Sequence, residues 1–334
     1  MKLKPALLIG FVFFVVLPAL GANQLMNKFT SPKGANAVNE ELAYRFMKPN
    51  NTVLHEVFLP DGSPLLTVTY IFDYFGHRRT PSKDIDHGTR HALFFGCSYV
   101  FGAKLNDEDT LPSHFAKQNP DYWSANFGIS GYGVFDVLRQ MELDLSRYRR
   151  AAPPGFAFYL YLPFHRQRSG GAFFKSPNME WTPQYRWQNN QLRFLGSWSE
   201  VHPALSWILQ KLKRWNFDLG IRSLRGLPGM TGRLMNEDVH QAVHHSFPAI
   251  RDEYLKSFPE GRFIVGLGPH LTERDREMFA ELTRQGIETL DLSDLPFDEE
   301  IIHPLDAHPN SKLNEMIARK ITSYLAENPK PDSP

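Results

Sequence analysis

A serine near the front of the chain and a histidine near its end are set in surroundings that suit a nucleophile and its base. The serine lies in Phe94-Phe95-Gly96-Cys97-Ser98-Tyr99-Val100-Phe101-Gly102. A hydroxyl on a tight turn after an apolar strand is exposed for attack on an acyl carbon, and Gly96 permits dihedrals that a side chain would forbid. The histidine lies in Asp306-Ala307-His308-Pro309-Asn310, where Asp306 is placed to steer the imidazole of His308 toward Ser98. Between the two runs Asn126-Phe127-Gly128-Ile129-Ser130-Gly131-Tyr132-Gly133, whose glycines can offer backbone N–H groups to an oxyanion. Together these segments point to acyl transfer. Alone, a serine at the start of a helix also fits a helix cap, and Val100 stands where the G-x-S-x-G elbow of α/β-hydrolases has its second glycine. Cys97 is the neighbouring candidate nucleophile, but pairing with a histidine base favours Ser98.

Such residues need a scaffold, and the hydrophobic pattern predicts one. Apolar strands are expected at residues 91–95, 123–127, 156–162, 263–267 and 289–292, with helices at 110–118, 134–148, 272–285 and 309–325. The run at 156–162 is continuously apolar, as in a strand buried on both faces. Strands alternating with helices predict a parallel sheet covered on both sides. Ahead of it, residues 53–58 and 65–72 are β-rich and joined by Leu59-Pro60-Asp61-Gly62-Ser63-Pro64, which reads as a hairpin. Residues 28–50 read as a polar spacer. Residues 167–233, with Trp181, Trp187, Trp198, Trp207 and Trp215, break the rhythm and read as a loop-rich insertion that caps or widens the site, or whose tryptophans pin irregular structure together.

Composition narrows the class. With 42% hydrophobic and 13% aromatic residues, the 334-residue chain can bury a sizeable core, so global disorder is not expected. A net charge of +1 gives no reason to expect nucleic acid. The single cysteine excludes an intrachain disulfide framework. Lys2 and Lys4 precede an uncharged stretch at 5–27, which reads as an export signal: a retained membrane anchor, with cleavage after Ala19-Leu20-Gly21-Ala22 as the alternative. Either way the folded part is expected outside the cytoplasm. One such segment does not make a transporter. The expected organisation is an anchor or signal at 1–27, a linker and hairpin at 28–90, the main domain at 91–326 and a tail at 327–334.

Gly96-Cys97-Ser98 with Phe101-Gly102, the stretch from Asn126 to Gly133, and Asp306-Ala307-His308-Pro309-Asn310 resemble the first, second and last blocks of the SGNH (GDSL-type) hydrolases over residues 91–325. The resemblance implies a three-layer α/β/α flavodoxin-like fold with a central parallel sheet, and ester hydrolysis or acyl transfer. By position it implies Ser98 as nucleophile, the backbone N–H groups of Ser98 and Gly131 as oxyanion donors, His308 as base and Asp306 as its orienting acid. Residues 73–81 also look like the lead-in of exported members with a β extension. No metal or cofactor is implied. The implied partner is a small-molecule or carbohydrate acyl ester, such as an acetylated envelope or exported polysaccharide.

Two departures stand out. The family's third block supplies an oxyanion asparagine after the third strand, whereas this chain has Leu162-Pro163-Phe164-His165-Arg166. His165 or Arg166 would have to donate instead, or else both are packing or surface residues. The family's usual Asp-x-x-His is shortened to Asp-x-His, with Leu305 at the commoner position; branches resembling polysaccharide O-acetyltransferases share the shorter spacing. The missing asparagine also supports an alternative in which the fold serves binding or assembly without catalysis. His240, His244 and His245 read as an exposed helix face rather than a metal site, Arg147, Arg149 and Arg150 as a solvated helix end, and Trp181, Tyr185 and Trp187 as packing rather than a sugar platform.

Overall fold

The computed structural model describes residues 26–30, 36–39, 44–82, 90–145, 155–170, 179–204, 206–207, 237–296 and 308–329. Residues 5–25 of the uncharged stretch and Arg147, Arg149, Arg150, Trp215, Leu305 and Asp306 lie outside the described residues. Among the described residues no helix is long and apolar enough to cross a membrane.

The N-terminal part is more structured than the spacer reading expects. β1 (Met26–Thr30), β2 (Asn36–Asn39) and β3 (Tyr44–Met47) precede the expected hairpin, β4 (Asn51–Phe58) and β5 (Pro64–Phe72). β1 pairs antiparallel with β4, making a three-stranded sheet β1-β4-β5, and β2 pairs with β3. Short polar strands of this kind lack the apolar alternation that reveals a strand in sequence; backbone pairing defines them.

The central sheet follows the predicted rhythm within a residue or two. β6 (Arg90–Phe95), β7 (Tyr122–Asn126), β8 (Phe156–Tyr161), β11 (Arg262–Leu267) and β12 (Glu288–Asp291) are all parallel, in the order β12-β11-β8-β6-β7. Counted along the sheet from β7, this is the 2-1-3-4-5 order of the flavodoxin-like fold, in which ligands bind beyond the carboxyl ends of the strands where the order reverses. Here the reversal falls between β6 and β8.

Alternation decides which layer each strand residue serves. Leu93, Phe95, Ala157 and Tyr159 face a cluster with Val134, Leu138 and Phe247, whereas Ala92, Phe94, Phe156 and Phe158 face one with Phe115, Leu313 and Ile317. The first layer is built from α3 (Val134–Asp144), α6 (Glu237–Ser257) and α7 (Glu273–Arg284), the second from α2 (Leu111–Gln118) and α8 (Ser311–Glu327). On α8 the buried residues Leu313, Ile317 and Ile321 recur every four positions, a single apolar stripe. Each contributes about 1.5–3 kcal/mol of burial, enough to seat the helix firmly. The predicted start at residue 309 moves to Ser311 because Asn310 caps the helix, its Oδ1 accepting from the Leu313 amide at 3.1 Å.

Within the 167–233 stretch, the described residues are mostly in regular structure. Its first residues end the helix α4 (Pro163–Ser169), and β9 (Pro183–Gln188) and β10 (Gln191–Ser197) form an antiparallel hairpin followed by α5 (Trp198–Val201). The hairpin turns on Asn189 and Asn190, both at positive φ (52° and 56°), as a two-residue turn of matching twist requires. It lies against α3 and α6: Tyr185 packs on Phe135, and Trp187 stacks on His245 with ring centroids 3.5 Å apart. These aromatics are packing groups, as expected. The histidines of α6 are half-buried rather than exposed: Trp187 of the hairpin covers His245, and Arg166 of α4 contacts His240. Among the described residues no group of three metal-binding side chains occurs.

Candidate active site

The site forms at the carboxyl end of β6. The chain turns through Gly96, at φ +154°, and Cys97 into the short helix α1 (Ser98–Phe101). Ser98 is the first residue of that helix, so its amide has no partner within it. Cys97 points inward, fully buried. Ser98 is 7% exposed, and its Oγ lies 2.8 Å from His308 Nε2 across 210 residues of sequence.

The glycine-rich loop after β7 reaches the same edge. The amides of Phe127 and Ile129 donate to the carbonyls of Phe94 and Gly96, at 2.8 and 3.1 Å, continuing the parallel ladder past the ends of both strands. Asn126 donates from Nδ2 to the Val100 carbonyl and accepts the Gly128 amide on Oδ1, each at 3.0 Å. Gly128 is pressed on α1: a Cβ there would lie 2.3 Å from the Phe101 nitrogen and 2.8 Å from the Val100 carbonyl carbon. Gly128→Ala must therefore push α1 away. The expected loss is about 1–3 kcal/mol of stability, read from a denaturant midpoint, together with slower reaction at Ser98. Gly131 lies in the tight turn closed by the Tyr132 amide on the Ile129 carbonyl, 3.2 Å.

His308 is placed from the other layer. Three residues on, Ser311 at the start of α8 donates to Asp109 Oδ1 at 2.8 Å, and Asn314 donates to the Asp109 carbonyl at 3.0 Å. Asp109 closes the short turn Asp107–Asp109 that follows the Ser98 helix. The same turn presents Asp107 to Arg78, Nε to Oδ1 2.9 Å. Arg78 is buried beneath α1 and also donates to the carbonyls of Phe101, Gly102 and Leu105. Its backbone bridges Phe72 at the end of β5 and Asn126 at the end of β7. Sequence reading missed Arg78, Asp107 and Asp109; adjacent arginines and an acidic run look like surface charge.

The two residues considered as asparagine substitutes are turned elsewhere. His165 is fully buried, its Nδ1 3.0 Å from Tyr159 Oη and its ring parallel to that tyrosine at 5.7 Å, and burial holds its pKa well below the usual imidazole value. Arg166 faces Asp275, with Nε to Oδ1 3.4 Å, and contacts His240 Nδ1 and Thr272 Oγ1. The reason is the helix α4: Pro163 starts it directly after β8, which commits positions 165 and 166 to the sheet and α7 side. Ser169 completes α4 by accepting the amides of Val134 and Phe135 at the start of α3.

What α4 brings toward the pair is instead Phe164 and Arg168. The Arg168 guanidinium sits 4.3 Å above the Phe164 ring, which lies 6.1 Å from Tyr99, whose ring is 5.3 Å from His308. Burial, then Lys104 and Arg168, push the pKa of His308 down to about 4. Burial pushes Tyr99 up to about 12. A neutral imidazole at hydrogen-bond distance from a serine hydroxyl can accept its proton.

The nucleophile-like turn after the first core strand, the histidine before the last helix and the 2-1-3-4-5 sheet fit one architecture. The chain has a three-layer α/β/α fold with a flavodoxin-like parallel sheet. No protein-family model matches the sequence, and no curated protein matches it significantly. Solved structures to which the chain is similar include an acetyl xylan esterase from the rumen bacterium Butyrivibrio proteoclasticus (12% identity, TM-score 0.44, covering 92% of this chain and 87% of that one). A family two carbohydrate esterase from Clostridium thermocellum, in complex with cellohexaose, is 12% identical with a TM-score of 0.40, covering 80% and 83%. A GDSL-like lipase from Bacteroides ovatus is 12% identical with a TM-score of 0.37, covering 72% and 99%.

Proposed function

We propose that the chain is a serine O-acyl esterase of the SGNH class, acting outside the cytoplasm on an acylated carbohydrate or small ester. The observation that carries this reading is the 2.8 Å approach of Ser98 Oγ to His308 Nε2 at the carboxyl edge of the sheet. His308 takes the Ser98 proton as Oγ attacks the ester carbonyl. The oxyanion is received by the backbone amides of Ser98 and Gly131. Collapse breaks the ester C–O bond, and His308 returns the proton to the departing alcohol, leaving an acyl group on Ser98. Water, activated by the same imidazole, releases the acid; a sugar hydroxyl in its place gives transfer. Asp306 orients the imidazole.

The test is labelling of the full chain with a fluorophosphonate, followed by mass analysis. A single adduct on Ser98 is expected. Well-folded protein that takes up no probe, and hydrolyses no ester, would favour the binding or assembly reading.

Protonation gives an independent check. Only the neutral imidazole works as base, and the ring is held at about 4 rather than 6.5. The labelling rate should therefore stay on its plateau from pH 7 down to about pH 5 and fall as pH drops through about 4. An acidic limb centred near 6.5 would contradict the desolvated setting of the ring.

A further inference from the structure

The loop that carries His308 is held from the Ser98 side at one hydroxyl. Ser311, three residues after His308 and the first residue of α8, gives its proton to Asp109 Oδ1 at 2.8 Å. The same oxygen lies 2.9 Å from Nε2 of His114, on α2. A serine hydroxyl has one proton to give, and a carboxylate takes it without returning one. His114 must therefore donate from Nε2, whatever the charge on its ring. Ser311 Oγ is thus fixed at two points, and both Asp109 and His114 belong to the segment that runs on from the Ser98 helix. Only two residues separate Ser311 from His308. Pro309 has its φ fixed by its ring, and Asn310 is extended and accepts the Leu313 amide at 3.1 Å. A displacement of the hydroxyl is therefore passed on toward the imidazole. Holding the two helices together does not need His114. α2 and α8 share one core cluster through Leu111, Phe115, Leu313 and Ile317, and Asn119 Nδ2 donates to Thr322 Oγ1 at 2.8 Å further along.

We propose that His114 is a positioning residue for the reaction, setting the approach of His308 to Ser98 through the Ser311 hydroxyl. This rests on the esterase reading above. Asp109 alone would hold the hydroxyl at one point; the second bond, from α2, fixes its direction. A base misplaced by a fraction of an ångström loses rate without loss of affinity, because His114 acts on the base and not on the substrate.

Two variants of the full chain test this with para-nitrophenyl acetate: His114→Leu, which keeps bulk but no donor, and His114→Gln, whose amide can reach the hydroxyl. In His114→Leu kcat should fall about tenfold with KM within about twofold of wild type, and the denaturant midpoint should hardly move. His114→Gln should recover most of the rate. Ser311→Ala should lose at least as much as His114→Leu, and combining the two should cost nothing further, since both cut one connection. A kcat for His114→Leu within about twofold of wild type, or a loss that glutamine does not rescue, overturns the proposal while the esterase reading stands. If the wild type neither hydrolyses the ester nor takes up a fluorophosphonate, the esterase reading fails, and NMR of the ring nitrogens in histidine-labelled full chain decides. His308 signals, identified by their loss in His308→Ala, uphold the coupling if they move in His114→Leu and return in His114→Gln. Unmoved signals overturn it, as does a His114 proton on Nδ1 alone. That tautomer is read on the unaltered chain, so the test does not depend on any variant folding.

Discussion

Replacing Ser98 by alanine should lower ester hydrolysis by on the order of 10⁴-fold or more, with the fold intact. The change removes one oxygen from a nearly buried position whose partner is His308 Nε2. Alanine suits the first turn of α1, so the denaturant midpoint should move little. No neighbour can take over the attack: Cys97 Sγ is 3.9 Å from Ser98 Oγ, but its side chain is fully buried. Residual turnover would come only from backbone amides and substrate binding, which survive the substitution. His308→Ala should cost a comparable factor, and the double variant scarcely more, because the two groups act as one unit. The measurement is kcat/KM on an acetyl ester, with circular dichroism confirming the fold. A Ser98→Ala enzyme within tenfold of wild type would remove Ser98 from the reaction.

Arg78→Ala should destabilise the chain by about 3–5 kcal/mol, the largest stability effect expected of a single side chain here. The Arg78 side chain is fully buried and that of Asp107 nearly so, at 0% and 8% exposure. Burial pulls both toward their neutral forms, Arg78 down and Asp107 up, and each opposes the other's shift. Truncation leaves the Asp107 carboxylate buried without its counter-ion and strips donors from the carbonyls of Phe101, Gly102 and Leu105. It also empties the space over the Tyr70 and Phe101 rings, which now flank the guanidinium at 4.5 and 5.0 Å. Arg78→Lys keeps a charge but cannot span Asp107 and three carbonyls, so it should recover only part of the loss. Urea unfolding of the three proteins gives the comparison. A cost below about 1 kcal/mol for alanine would show that water replaces the guanidinium freely.

The central sheet was legible because its strands are buried on both faces and read as apolar runs, Phe156–Tyr161 most clearly. The meeting of Ser98 and His308 was legible because such runs end at one edge of a parallel sheet. The N-terminal strands were not, since β2, Asn36–Asn39, carries no apolar alternation. The β9–β10 hairpin did leave a signal, Asn189-Asn190 between alternating residues, which the tryptophan-rich composition obscured. His165 and Arg166 were left open between oxyanion donors and packing residues because a strand end says nothing of which way the following turn aims its side chains; Pro163, by starting a helix at once, sets that direction. Arg78 was invisible for a different reason. A buried guanidinium and a solvated one have the same letter, and only the carbonyls that converge on it distinguish them.

The turn Asp107–Asp109 places Asp107 under the Ser98 helix and Asp109 at the foot of the helix after His308. Three consecutive residues thus act as a gauge block between two loops whose reacting residues are 210 positions apart. Relatives that lengthened or shortened the chain elsewhere would leave that spacing alone. One residue gained or lost between Asn106 and Thr110 would misset both partners together, so tolerance of length change along this chain should reach its minimum there, in a stretch that holds none of the reacting groups.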